Sequence, residues 1–115
     1  MKISENLKRG VIDLLLLTLL QGEDMYGYQL CQELSTRSKG LFVLQESSMY
    51  PSLYRLSDKG YISDRRELVG KRRTRVYYHL EPAGKAHLET LHKEYEALTQ
   101  GVHNLLTFEN NEAQT

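Results

Sequence analysis

The apolar and polar positions divide the chain into segments of different period. Leu7, Val11, Ile12, Leu14, Leu15, Leu16, Leu17, Leu19 and Leu20 crowd the first twenty residues. These are mostly strong helix formers, and the stretch is apolar nearly all round, which predicts a first helix buried on more than one side. A polar break at Gln21–Asp24 follows. Tyr26, Leu30 and Leu34 then recur every four residues, predicting a second helix from about Tyr26 to Ser38 that Lys39-Gly40 closes. Leu41–Leu44 reads as a short extended piece. Met49, Leu53 and Leu56 share one face of a third helix, which Ser47 or Ser48 caps and which runs to Lys59 before stopping at Gly60. Pro51 is tolerated there because it falls in the first turn or just beyond, where few backbone donors have helical acceptors. Ser48, Ser52 and Arg55 are expected away from the apolar stripe, giving the helix a hydroxyl-rich outer surface.

Beyond Gly60 the period changes. Tyr61–Glu67 and Thr74–Leu80 hold Ile62, Val76, Tyr77 and Tyr78, residue types that favour strands, on either side of a basic connection containing Gly70. An antiparallel hairpin with a positively charged tip is expected. Pro82 suits the first position of a last helix. Within it Leu88, Leu91, Tyr95, Leu98, Val102 and Leu105 alternate three and four apart, a heptad stripe that Gly101 interrupts. Such a stripe at the end of a chain, with little left in its own domain to cover it, favours a seam between two copies. The expected fold class is therefore mainly α (α+β), a winged helix-turn-helix over residues 1–80. A C-terminal dimerisation helix over 81–108 and a flexible tail over 109–115 complete it.

Composition narrows the function. The 115 residues, 40% apolar, suffice for one domain with a modest core, and a chain this short gains from a partner subunit. The formal net charge is zero, but it is unevenly spread. Arg55, Lys59, Arg65, Arg66, Lys71, Arg72, Arg73 and Arg75 face only Asp58, Asp64 and Glu67 in their segment, whereas acidic residues dominate from Glu81 onward. The single cysteine, Cys31, excludes an intrachain disulfide and suits a reducing compartment. Val11–Leu20 contains Asp13 and falls short of the roughly 20 residues that span a bilayer, so no membrane segment and a cytoplasmic location are expected.

The candidate chemistry is that of a binder of double-stranded DNA. In a winged helix the third helix enters the major groove and neighbouring elements contact the backbone. Arginine and lysine neutralise phosphates, while serine and tyrosine hydroxyls hydrogen-bond phosphate oxygens. Ser47, Ser48, Tyr50, Ser52 and Arg55 supply such groups on the third helix, and Lys71, Arg72, Arg73 and Arg75 on the wing. A basic turn alone is usually only a solvated loop; its placement beside a hydroxylated helix gives it meaning. No catalytic or metal-binding constellation is visible. His79, His87, His92 and His103 lack the i, i+4 spacing that puts two imidazoles on one helix face. Cys31 has no histidine near it in sequence, and no glycine-rich phosphate loop occurs. Neither an enzyme nor a cofactor or metal is expected. The competing class is a winged-helix module that binds protein and not DNA.

The run Ser48-Met49-Tyr50-Pro51-Ser52-Leu53-Tyr54-Arg55-Leu56, followed by Gly60-Tyr61-Ile62, resembles the recognition-helix signature of the PadR family. Tyr26-Gly27-Tyr28-Gln29-Leu30 is similar to that family's opening of helix two, and Gly70–Arg75 with Tyr77-Tyr78-His79-Leu80 and Gly84 to its wing and last strand. Glu81 departs from the threonine common at that position. The resemblance implies a repressor that covers a palindromic operator as a homodimer. Ser48 and Tyr50 would contact DNA from the helix and Lys71, Arg72 and Arg73 from the wing. It also implies that a small aromatic effector releases the DNA from a site between the last helices, where Tyr95 could stack on a planar ligand.

Overall fold

A computed structural model describes residues 1–109 of the chain. The leucine-rich stretch is two helices rather than one. Ser4 caps α1 (Glu5–Arg9), and the chain turns at Gly10–Val11 before α2 (Ile12–Gly22). Lys8, almost fully buried, fastens α1 down: its ammonium donates to the Val43 carbonyl at 2.9 Å and pairs with Glu5 at 2.8 Å. With its charge paired and its hydrogen bond made, the lysine is held in place without the penalty of a bare buried cation. The centre of α2 is the heart of the molecule, since Leu16 and Leu17 are wholly inaccessible to solvent.

Two residues, Met25–Tyr26, form β1, and α3 (Gly27–Arg37) starts immediately after them. The segment Leu41–Leu44, expected to be extended, belongs to no strand and leads into α4 (Glu46–Asp58). Gln45 occupies the N-cap without a side-chain cap bond, so Ser47 and Ser48 lie in the first turn and not at the cap. Pro51 falls in the second turn on the exposed side, where water can serve the carbonyl its ring leaves without a donor.

The hairpin of β2 (Ile62–Leu68) and β3 (Thr74–Leu80) pairs Ile62 with Leu80 and Leu68 with Thr74. On its other edge β3 accepts β1, Met25 opposite Tyr78 and Tyr26 opposite Tyr77, giving an antiparallel sheet of order β1-β3-β2. The last helix, α5 (Pro82–Leu106), begins at the expected proline and at 25 residues is about 37 Å long. The result is a winged helix-turn-helix with an extended C-terminal helix. The core is one cluster in which α2, α3, α4 and the sheet contribute Leu16, Leu17, Met25, Leu30, Met49, Leu53 and Leu56. The tail expected over 109–115 lies, Glu109 apart, outside the described residues.

Candidate nucleic-acid interface

The 100° step of a helix sets what α4 presents. Met49, Leu53 and Leu56 point into the core, and Ser47, Ser48, Pro51, Tyr54 and Arg55 emerge on the opposite side. Ser52 does not join them. It lies only about 60° from Met49 around the axis, inside the apolar sector, and is 7% exposed, so the expectation that it belongs to the outer surface is corrected. Arg55 is exposed, but its guanidinium is drawn to Asp13 on α2, which makes it a clamp between two helices.

Tyr50 is half-buried and fixed. Its hydroxyl donates to the Glu46 carboxylate one turn earlier at 3.0 Å, and its ring stacks on Tyr54 with centroids 6.0 Å apart. Burial, reinforced by the hydrogen bond to Glu46 and the charge of that carboxylate, pushes the phenol up to about 12. The fit depends on Gly27: a Cβ there would stand 2.6 Å from the Tyr50 oxygen, closer than any real contact. The glycine that opens α3 is thus the seat of the tyrosine on α4.

The wing carries the free positive charge. Lys71, Arg72 and Arg73 are exposed at the tip, where the Val69 amide donates to the Arg73 carbonyl at 2.8 Å and closes a tight loop. Within the described residues no carboxylate is in salt-bridge range of these three side chains, nor of Arg66 or Arg75. Arg75 is partly buried and lies 4.2 Å above the Tyr26 ring, a cation–π contact that stiffens its reach. Arg65, in contrast, is held at the base of the wing by Asp24 and Glu67. Asp24 also receives His79 at 2.7 Å. Burial raises the Asp24 pKa, but the hydrogen bonds with His79 and Arg65 and their charges prevail and keep its carboxyl below the ordinary value of 3.8.

Between α4 and the wing runs a groove of about 450 Å³, walled by Glu46, Tyr50 and Tyr54 on one side and Asp64, Arg66 and Arg75 on the other. Helix α4 and the hairpin therefore flank a single cleft. Tyr54, 62% exposed, and Arg66 and Tyr28 line the cleft as well, although none was among the expected DNA contacts. The signal for Tyr54 was its position about 140° from Met49 around the helix axis, away from the apolar stripe.

The heptad stripe of α5 splits in two. Leu88 is 6% exposed and belongs to the chain's own core, and Leu91 is packed against that core, so the expectation that Leu88 faces a partner is corrected. Tyr95, Leu98, Val102 and Leu105 remain exposed. With Leu7, Leu15 and Phe42, several of them wall a second, apolar groove of about 520 Å³. The contribution of α1 to this surface was not anticipated.

Other reactive groups are occupied structurally. Burial, with the charge of Glu46, pushes the Cys31 thiol up, and its sulfur lies 4.0 Å from that of Met49. His87 stacks on Tyr61 and His92 pairs with Glu96. Among the described residues no cluster of potential metal ligands occurs, and no helix is long and apolar enough to cross a membrane.

Comparison with known proteins decides the lineage. Residues 16–90 match the sequence profile of the transcriptional regulator PadR-like family. The chain belongs to this family. A protein of Lysinibacillus sphaericus is 33% identical over 93 residues, 81% of this chain and 85% of that one. A transcriptional regulator from Clostridium thermocellum superposes with a TM-score of 0.79 at 31% identity, over 92% of this chain and 99% of its own. Bacillus subtilis PadR, solved in complex with operator DNA, is similar at 26% identity and a TM-score of 0.65 over 70% of this chain and 46% of its own. The PadR-like match runs from the middle of α2 through the first turns of α5, so it includes α4, the wing and Gly84 and excludes α1.

Proposed function

We propose that two copies of this chain, joined through α5, bind a palindromic operator and repress transcription, and that a small planar aromatic effector releases them. The observation that carries the reading is the shared cleft. Tyr50 and Tyr54 of α4 and Arg66 and Arg75 of the hairpin line it, and the exposed Ser47 and Ser48 and the unpaired Lys71, Arg72 and Arg73 lie on the same helix and the same hairpin. One duplex can meet both, α4 in the major groove and the wing along the adjacent backbone. Tyr50 enters as the residue that shapes this surface, with Tyr54 stacked outside it. Ser48 and Lys71, Arg72 and Arg73 make the direct contacts, and Arg75 and Arg66 line the path between.

Dimerisation follows from the uncovered part of the stripe. Tyr95, Leu98, Val102 and Leu105, with Leu7 of α1, are too apolar a surface to leave in water. A second copy laid against them doubles the winged helix and matches a two-fold DNA site. Tyr95 stands in the wall of the apolar groove, whose volume suits a small molecule, and there it can stack on a flat ring.

The test is binding to duplexes selected from a random library, followed across salt. Six wing cations, three from each protomer, give a log–log slope of about −5. Paired, inverted half-sites are the expected selection product. Salt-insensitive binding, or enrichment of no duplex at all, would refute the reading and favour a protein partner.

A further inference from the structure

One residue, Tyr61, joins three parts of this molecule. Its amide donates to the Leu56 carbonyl at 3.0 Å and so ends the recognition helix, and the wing begins at the next residue. Its carbonyl accepts the Glu81 amide at 3.0 Å, at the start of α5. The same oxygen is so close to Gly84 that a Cβ added there would lie 1.9 Å from it, an overlap with backbone that no rotamer can relieve. Its ring stacks face to face on His87, centroids 4.2 Å apart and planes 10° from parallel. The Glu81 carboxylate meanwhile accepts the Ser63 hydroxyl at 2.6 Å. Four contacts from the N-cap residue through the second turn of α5 thus seat it on the junction between α4 and β2.

We infer that this joint sets the operator half-site spacing the protein accepts, with Gly84 and the Tyr61–His87 pair as the positioning residues. The inference rests on the dimeric-operator reading above. In that assembly the outer half of α5 belongs to the seam between subunits and its inner end belongs to the DNA-reading head. The angle between them fixes how far apart the two recognition helices stand. A methyl group at position 84 must push the Tyr61 oxygen away by about 1.5 Å to reach ordinary contact. Leu88 and Leu91 hold the helix against the core about 10 Å or less further along, so that push tilts α5 by about 8°. From that pivot the tilt carries Leu105, roughly 21 Å away, by about 3 Å, and the two protomers together by about 6 Å, more than the ~3.4 Å rise of one base pair. Symmetry applies the same displacement to the other protomer.

The experiment uses a duplex series in which the selected half-sites are separated base pair by base pair. Full-length protein, Gly84→Ala and His87→Ala are compared by fluorescence anisotropy, with dimer mass and circular dichroism as controls. The unaltered protein prefers one spacing. Gly84→Ala moves that optimum by at least one base pair and loses tenfold or more at the original spacing, while affinity for a single half-site stays within twofold. His87→Ala, which frees the stack without a clash, flattens the preference so that neighbouring spacings differ by less than threefold. If Gly84→Ala does not fold, the flattening in His87→Ala decides. An unchanged optimum and sharpness in the variants, or an equal loss at every spacing and at the single half-site, overturns the inference alone. If the unaltered protein shows no paired half-sites, the dimeric-operator reading fails and the inference falls with it.

Discussion

Leu88 and Leu98 sit on the same helical stripe and should fail in opposite ways when shortened. Leu98 is 61% exposed in the single chain, so a partner that covers it removes about six-tenths of a leucine side chain from water. Full burial of such a side chain is worth about 1.5–3 kcal/mol, which gives about 1–2 kcal/mol for each copy and about 2–4 kcal/mol for the symmetric pair. At about 1.4 kcal/mol per factor of ten, Leu98→Ala raises the dimer Kd roughly 30- to 700-fold. Leu98→Asp raises it further, because a carboxylate is then left in an apolar seam. Neither change touches the core of the chain. Leu88 is 6% exposed inside that core, and Leu88→Ala costs about 2–5 kcal/mol of folding stability. Sedimentation equilibrium over the micromolar range, paired with thermal unfolding, separates the two effects. The reasoning is refuted if Leu98→Asp keeps the dimer mass at concentrations where the unaltered protein is fully dimeric.

Three further outcomes follow from named contacts. Replacing Arg72 and Arg73 together by alanine removes four cations per dimer, so the salt slope of operator binding should flatten by about 4 while the dimer mass is unchanged; an unaltered slope places the phosphate contacts elsewhere. Asp24, with its folded pKa held below 3.8 by His79 and Arg65, contributes stability that is complete above 3.8 and lost as pH falls through the folded value. The Tm difference between the protein and Asp24→Asn should therefore shrink below pH 3.8, and curves that stay parallel to the lowest pH reached would contradict that assignment. The Tyr50 phenol, raised to about 12 by burial and by Glu46, should be the last tyrosine to ionise in an ultraviolet titration. In Glu46→Gln its transition should move toward the others, and no movement would mean that burial alone sets it.

Much of the head was legible because its signals are local. The pair Leu30 and Leu34, the stripe Met49–Leu53–Leu56, the strand-forming Val76–Tyr78 and the helix-initiating Pro82 each depend on a few neighbouring residues and lie where expected, whereas Tyr26, expected on the same helical stripe, stands in β1. What escaped depends on distant parts of the chain. The strand Met25–Tyr26 is too short to show a period and exists because Tyr77 and Tyr78 offer it an edge. The short α1, separate from α2, is anchored by Lys8 donating to a carbonyl 35 residues away. Ser52 is buried because its neighbours on the face are large and apolar, which a count of hydroxyls does not register. The stripe on α5 has the same spacing throughout, yet its first part is covered by the chain's own core and its last part is not. Periodicity reports that a face is apolar; it does not report what covers it.

The pairing of β1 with β3 has a kinetic consequence. A hairpin standing alone is marginal in water, and a flexible wing would have to be ordered at the moment of contact with the duplex. Here two hydrogen-bonded residues tie the wing's inner strand to the segment from which α3 springs, and Arg75 and Tyr26 lock side chains across the same seam. The entropy of fixing that arm is therefore spent as the polypeptide folds, long before any operator is met. Encounter can then proceed as a collision of two preformed shapes, with complex lifetime set by the contacts broken on departure.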